Sequence, residues 1–301
     1  MLLFQHKGES VLFENLKDIR YDEDLLLEAY QFNGVAQAFP NHFHEYYVIG
    51  LIEAGERHLT VNNQEYRIGP GDLMTFNPMN NHACEQTDGG NLRYRCLNIK
   101  QEVMRKTARE VLDCNDLPQF CMPVQYRTEL ASIFCDLHDS IMTAGPGLEK
   151  EEAFLVFMEL LLSNHAEFGS NKTLPVERKE IEDVCAFLEQ HYPERITLDM
   201  LGGIANLNKY SLVRMFTRCK GITPYRYLET VRIGEAKKLL EKGMEPAQVA
   251  QQTGFSDQSH FSNYFSQFIG LTPGLYQSIF REEDQLWKNS KQPCEATMPP
   301  L

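Results

Sequence analysis

The chain has 301 residues, 43% hydrophobic and 24% charged, with a formal net charge of −13, a balance that suits a globular protein of two domains of roughly 100–200 residues each. An acidic total excludes a protein that coats nucleic acid with uniformly basic surface. No run of about 18 apolar residues occurs, and MLLFQHKGES lacks the basic start and apolar stretch of a signal peptide, so a cytoplasmic protein with no membrane partner is expected.

From about Leu27 to Ile99, short apolar or β-branched runs alternate with turn signals. Asn62-Asn63 between HLTV and EYRI predicts a tight hairpin, and Gly69-Pro70-Gly71-Asp72 a second turn. Strands at this spacing predict a small barrel or sandwich. His42, His44 and Tyr46 alternate in a predicted strand and so share a face, with Tyr47 on the other. His82 follows the Pro-Gly-Asp turn and can close on them inside a barrel. Three readings stand side by side for this group: a metal site, polar contacts in an organic-ligand pocket, or histidines satisfied in a core or rim. His42, His44, Tyr46 and His82 are the candidate pocket residues for a small polar metabolite. No metal or cofactor is assigned to them. The eight cysteines are scattered without CxxC pairs, which argues against a zinc finger or a disulfide framework.

After Lys100 the pattern becomes helical, over 101–113, 126–142 and 149–168. Phe154, Phe157, Leu161 and Leu162 fall on one side of the last of these. That stripe either packs on the chain's own barrel or forms the seam of a homodimer. The polar GSNKTLPVE near 169–177 is the best linker candidate. Charge divides there as well: residues 195–281 hold 11 Lys+Arg against 6 Asp+Glu, whereas residues 1–194 hold 16 against 32. Only the later part is suited to meet phosphate.

That part contains an internal repeat. LGGIANLNKYSLVRMFTRCKGITP (Leu201 to Pro224) aligns with VAQQTGFSDQSHFSNYFSQFIGLTP (Val249 to Pro273), so that Leu212 answers Phe261, Phe216 answers Phe265, and Gly-Ile-Thr-Pro answers Gly-Leu-Thr-Pro. Each copy reads as a short helix, a turn, a second helix and a glycine stop, the spacing of a helix-turn-helix. Asn208, and Ser256 or Asp257, stand where the second helix needs an N-cap. Leu212, Phe216, Phe261 and Phe265 mark the inward faces. This leaves Lys209, Tyr210, Val213 and Arg214 outward in the first copy, and Gln258, Ser259, Ser262 and Asn263 in the second. Arg can hydrogen-bond guanine at two atoms, and Gln or Asn adenine. Pro224 to Gly243 predicts an amphipathic helix that would hold the two reading helices about one DNA turn, ~34 Å, apart.

The region from Glu177 to Phe280 resembles the DNA-binding domain of the AraC/XylS family, most clearly in GFSDQSHFSNYFSQFIGLTPGLY. The resemblance implies that the second helix of each copy reads the major groove through the outward residues named above. Two departures stand out: Gly202-Gly203 replaces an alanine-rich stretch, at a cost of ~1 kcal/mol or more, and Asn263 stands where a basic residue is common. FPNHFHEYYVIGLIEAGERHL with GPGDLMTFNPMNNHA resembles the cupin-type sensing domain common in the same family. Metal-binding cupins supply a carboxylate four residues after the second His. Here that position is Val48, and Glu45 points the other way on a regular strand. In sugar-sensing relatives an N-terminal arm, here the charged and aromatic stretch before Leu25, folds over the pocket.

The expected fold is α+β: a cupin-like β-barrel with following helices, then an all-α domain of two helix-turn-helix units joined by a linker helix. Its expected bounds are a sensing and dimerisation domain at 1–168, a linker at 169–176, a DNA-binding domain at 177–281 and a tail without packed structure at 282–301. The expected function is sequence-specific transcription regulation. Its expected partners are double-stranded DNA, a small-molecule effector, a second copy of the chain and, for an activator, RNA polymerase. The alternative is a metal-dependent cupin enzyme fused to a DNA-binding domain. No GxxxxGK[ST], GxSxG or HExxH is present, in keeping with a non-enzyme without cofactor.

Overall fold

The structure, a computed structural model, describes residues 16–35, 38–87, 91–145, 147–169 and 179–280. The linker expected at 169–176 and the tail at 282–301 lie almost wholly outside these residues, as does the first part of the arm. The first half comprises strands β1 (Leu16–Asp22), β2 (Leu27–Val35), β3 (Phe39–His42), β4 (Tyr47–Ala54), β5 (Arg57–Val61), β6 (Gln64–Ile68), β7 (Leu73–Phe76), β8 (His82–Gln86) and β9 (Leu92–Ile99). Helix α1 (Gln101–Leu112), short strands β10 (Gln119–Phe120) and β11 (Val124–Gln125), helices α2 (Leu130–Met142) and α3 (Gly147–His165), and strand β12 (Ala166–Glu167) follow. Two antiparallel sheets form, in the orders β1-β2-β9-β4-β7-β11 and β3-β8-β5-β6, with a two-stranded ladder of β10 and β12 beside them.

Strand β4 reads YVIGLIEA because both of its faces are covered. Val48 and Ile52 point inward to the core shared by the two sheets, and Tyr47, Ile49 and Leu51 point outward against the helices. Gly50 lies between the inward pair, where a Cβ would run into the Tyr94 ring. Asn62 and Asn63 join β5 to β6 with φ of 47° and 66°; two positive values are what a tight hairpin turn demands, and asparagine tolerates them. At the next turn Gly71 adopts φ +88°, and the Asp72 carboxylate accepts the backbone N–H groups of Gly69 and Arg127.

The helical stripe turns out to be internal. Phe154, Phe157, Leu161 and Leu162 are buried with Phe134 and Leu137 of α2 against the outer face of the larger sheet. They are therefore not the seam of a dimer, because the chain's own sheet already covers them. The stretch Leu16–Asp22 of the arm is an edge strand paired in full register with β2.

The second half is helical: α4 (Lys179–Gln190), α5 (Leu198–Ala205), α6 (Lys209–Lys220), α7 (Pro224–Glu241), α8 (Pro246–Gln252) and α9 (Gln258–Ile269), then helical residues 273–280. Asn208 caps α6 by accepting the Ser211 N–H. Asp257, not Ser256, caps α9 by accepting the His260 N–H, and Ser256 donates its hydroxyl to Asp257. Gly221 and Gly270 end the same two helices at φ +72° and +83°. Leu212 and Phe216 are buried among Ile181, Val184 and Leu188, and Phe261 and Phe265 among Ala236, Leu240 and Val249. Gly202 is required where it stands, since a Cβ there would lie 2.7 Å from the Leu207 carbonyl oxygen; the neighbouring Gly203 has open space, so only there does the helix-propensity cost apply undiminished.

The helices dock on the open end of the sheets. Phe43, just past β3, leaves the barrel and joins the first helical unit, its ring 5.0 Å from that of Tyr227. Lys237 of α7 reaches the Glu28 carboxylate of β2 at 3.0 Å, with both side chains about 7% exposed, and Tyr276 donates its hydroxyl to the same carboxylate at 2.6 Å. Burial alone would push the Lys237 ammonium down, but Glu28 beside it holds it above the usual lysine range. Burial likewise pushes Glu28 up, and Lys237, Tyr276 and Asn98 together hold it below the usual carboxylate range. Lys237→Met leaves a buried carboxylate without its cation and should cost roughly 3–5 kcal/mol in urea unfolding of the full chain, much of which Glu28→Gln in the same chain should restore. A single variant within about 0.5 kcal/mol of wild type would show that the pair does not hold the halves together.

Candidate ligand cavity and DNA-reading helices

The inner faces of the two sheets enclose a cavity of about 90 Å³ with aromatic and aliphatic walls that include Phe32, Phe39, Phe76 and Tyr94. His42, His44, Tyr46 and His82 all line it. His42, His44 and Tyr46, but not His82, also border a larger cleft of about 760 Å³ between the barrel and α7, which carries Lys100, Lys237, Lys238 and Glu241. His42 and His44 therefore stand at the neck between an apolar chamber and a charged cleft, with His82 on the chamber side. Phe268 and Ile269, from the last turn of α9, line both spaces.

The local path differs from the expected one. Strand β3 stops at His42 and β4 starts at Tyr47, so His44 and Tyr46 lie on the connection and not on a strand face. The cause is Phe43, whose burial in the helical core draws the chain out of the sheet. The rings nonetheless converge: centroids are 4.6 Å apart for His42 and His44, 4.5 Å for His42 and His82, and 5.0 Å for His44 and His82. Tyr46 stacks on His44 at 4.6 Å, and Lys237 lies 4.3 Å above the Tyr46 ring. Tyr47 points away from the cavity and donates its hydroxyl to the Pro118 carbonyl.

Two of the imidazoles have fixed tautomers. Nδ1 of His42 lies 2.6 Å from the Pro40 carbonyl and Nδ1 of His82 lies 2.9 Å from the Asn80 carbonyl. A carbonyl only accepts, so each Nδ1 carries the proton and each Nε2 keeps a lone pair. Burial lowers the His82 pKa to about 4 and pushes His42 and His44 well below the usual histidine range, so all three are neutral at pH 7. Burial raises the Tyr46 phenol to about 12. Glu45 turns outward to Lys238 at 3.0 Å, and Val48 is a core residue, so neither brings a carboxylate to the histidines.

On the second helices of the two helix-turn-helix units, Lys209 and Arg214 of α6 are exposed, with Lys209 paired to Asp199 at 2.7 Å, and Val213 is half-buried. The Tyr210 side chain lies outside the described residues. On α9, Gln258, Ser259 and Asn263 are exposed and Ser262 is half-buried. Arg218 is a further exposed cation one turn beyond Arg214; it shares that face, and the i, i+4 spacing could have revealed it. Both helices end against the barrel. Asn41 donates to the Gly221 carbonyl at 3.2 Å, Asn81 donates to that of Lys220, and Lys17 donates to that of Gly270 at 2.7 Å. Phe268 rests on His42 with ring centroids 5.4 Å apart. Phe268 was absent from the sequence-based candidates because only the docking brings it to the cavity.

An enclosed sheet pair followed by two helix-turn-helix units defines a DNA-binding regulator with a ligand-binding domain, and known families agree. The AraC-like ligand binding domain matches residues 25–160 and a helix-turn-helix domain matches residues 201–279. The uncharacterized HTH-type transcriptional regulator YbfI of Bacillus subtilis (strain 168) is 46% identical over 267 residues, 89% of this chain and 97% of its own length. The HTH-type transcriptional activator RhaS of Klebsiella pneumoniae (strain 342) is 26% identical over 249 residues, 78% of this chain and 86% of its own. The crystal structure of ToxT from Vibrio cholerae strain SCE256 with a bound unsaturated fatty acid superposes with a TM-score of 0.52 at 17% identity, over 88% of this chain and 97% of that one. The chain belongs to the AraC family of helix-turn-helix transcription regulators.

Proposed function

We infer that this regulator reads DNA with Lys209, Tyr210, Val213, Arg214, Gln258, Ser259, Ser262 and Asn263, and that a small molecule in the barrel cavity controls how those helices are held. One observation carries the reading: the cavity wall includes Phe268 and Ile269 of the second reading helix, so whatever fills the chamber touches the DNA-binding half directly. The walls favour a compact, largely apolar body with a polar end at the histidine neck, in place of the polar metabolite expected from the histidines alone. ToxT offers a parallel, since its structure holds an unsaturated fatty acid. The alternative of a metal-dependent cupin enzyme lacks support from the relatives, which are transcription regulators. None of the described helices is long and apolar enough to cross a membrane.

Three measurements test this reading. A site selected from a random oligonucleotide pool should lose roughly 5–150-fold in affinity for the Arg214→Ala variant, corresponding to about 1–3 kcal/mol, while random DNA loses far less; equal losses on both would make Arg214 a phosphate contact only. A thermal-shift screen of small organic acids and alcohols should yield compounds that stabilise the wild type and lose their effect in Phe268→Ala; compounds equally effective in both would place the effector elsewhere. A homodimer belongs to the same reading, with Val156 and Leu160 of α3 exposed one turn apart beside the covered stripe. Sedimentation at micromolar concentration should show a dimer that Val156→Glu with Leu160→Glu dissociates, and a monomeric wild type would remove this part.

A further inference from the structure

We propose that His42, His44 and His82 form a binding site for one divalent transition-metal ion at the neck of the barrel cavity. The nitrogen ligand atoms of the three side chains lie within 4.8 Å of one another. Three imidazoles whose nitrogens sit about 2.0–2.1 Å from a common ion, at tetrahedral or facial octahedral angles, have ring centroids roughly 4.5–5.2 Å apart. The observed separations of 4.5, 4.6 and 5.0 Å fall in that range.

The hydrogen bonds prepare the rings for this task. The Pro40 and Asn80 carbonyls take the Nδ1 protons of His42 and His82, which is the outer support that metal-bound histidines characteristically have. The Nε2 lone pairs of His42 and His82, side chains 3% and 6% exposed that line the cavity, receive no hydrogen bond found among the described residues. Imidazole nitrogens without a donor, gathered at one end of a largely apolar cavity, are the ligand type that a transition-metal ion takes.

The ligand set also says which ions fit and what else the site must bind. Neutral imidazoles without carboxylates suit zinc, copper, nickel, cobalt or ferrous iron, and not magnesium or calcium. Both nearby carboxylates are engaged elsewhere, Glu45 by Lys238 and Glu28 by Lys237 and Tyr276. An ion held by three neutral ligands in an apolar chamber keeps its full charge, so its open positions favour an anionic oxygen from a small molecule in the cavity. This last step rests on the effector reading above; binding of the ion itself does not. Because Phe268 of α9 packs on His42, an ion that fixes His42 also fixes the end of the second reading helix.

Chelator-stripped full-length protein titrated with zinc and with cobalt tests the proposal without DNA or effector, so its failure would leave the regulator reading intact. One equivalent per chain is expected, with visible cobalt ligand-field absorption and no thiolate-to-cobalt charge-transfer band. Magnesium should not compete. His44→Gln, at a half-buried ring with no described hydrogen bond, should keep its far-ultraviolet circular dichroism and bind at least ~100-fold more weakly; the pair His42→Gln with His82→Gln should bind nothing at the site. Substoichiometric uptake by the wild type, unchanged affinity in His44→Gln, or a strong thiolate band from Cys84 or Cys96 in the same cavity would each overturn it.

Discussion

The arrangement of the molecule depends on one buried ion pair. Glu28 and Lys237 are 209 residues apart in sequence, and each is about 7% exposed. Neither could remain charged alone in that setting, because a lone buried charge costs several kcal/mol. Together, and with Tyr276, Tyr30 and Asn98 completing the bonds to the carboxylate, they are satisfied. The pair fixes the linker helix α7 against β2. Since α7 joins the two helix-turn-helix units, it also fixes where α6 and α9 stand relative to the barrel. The exposed pairs Lys238–Glu45 and Lys100–Glu241 follow the same seam but contribute little by comparison.

The four-residue punctuation of the repeat makes the docking two-pointed. In Gly221-Ile-Thr-Pro, the glycine ends α6, Thr223 caps α7 by accepting the Arg226 N–H, and proline opens the helix. In Gly270-Leu-Thr-Pro, the glycine ends α9 and Thr272 accepts the Leu275 N–H in the same manner. A helix C-terminus presents unsatisfied carbonyls and a partial negative charge. The barrel answers with donors at both: Asn41 and Asn81 at the first, Lys17 at the second. Two related ends thus meet one rigid body, which constrains the separation of the reading helices as well as their tilt.

What was legible in the sequence was what short-range chemistry decides. The Asn62-Asn63 hairpin, the cap at Asn208 and the glycine stops at Gly221 and Gly270 each follow from a few adjacent residues, and the repeat doubled that signal. The choice between Ser256 and Asp257 at the α9 cap needed coordinates, since both side chains can accept an N–H. The histidine cluster was legible as residues that meet, and illegible in its path. A regular strand through His42 and His44 would turn Phe43 to the barrel exterior, but the helical half offers that ring a buried place beside Tyr227. Nothing local signals a partner 184 positions away. The same reason hid Phe268, Lys237 and Glu28, whose roles exist only once the halves dock.

Docking also defines what a signal must do here. A molecule in the chamber shifts the position of the reading helices only by the difference in its affinity for the docked and undocked arrangements. In the docked state Phe268 and Ile269 form part of the chamber, so a ligand that packs against them favours docking and one that needs their space opposes it. The chamber of about 90 Å³ leaves little room for both. On the effector reading proposed above, an occupant larger than the chamber displaces part of a wall that includes Phe268 or extends into the cleft of about 760 Å³ under α7. On that reading, the size of the occupant then bears on the sign of the response, because the wall that it must displace belongs to α9.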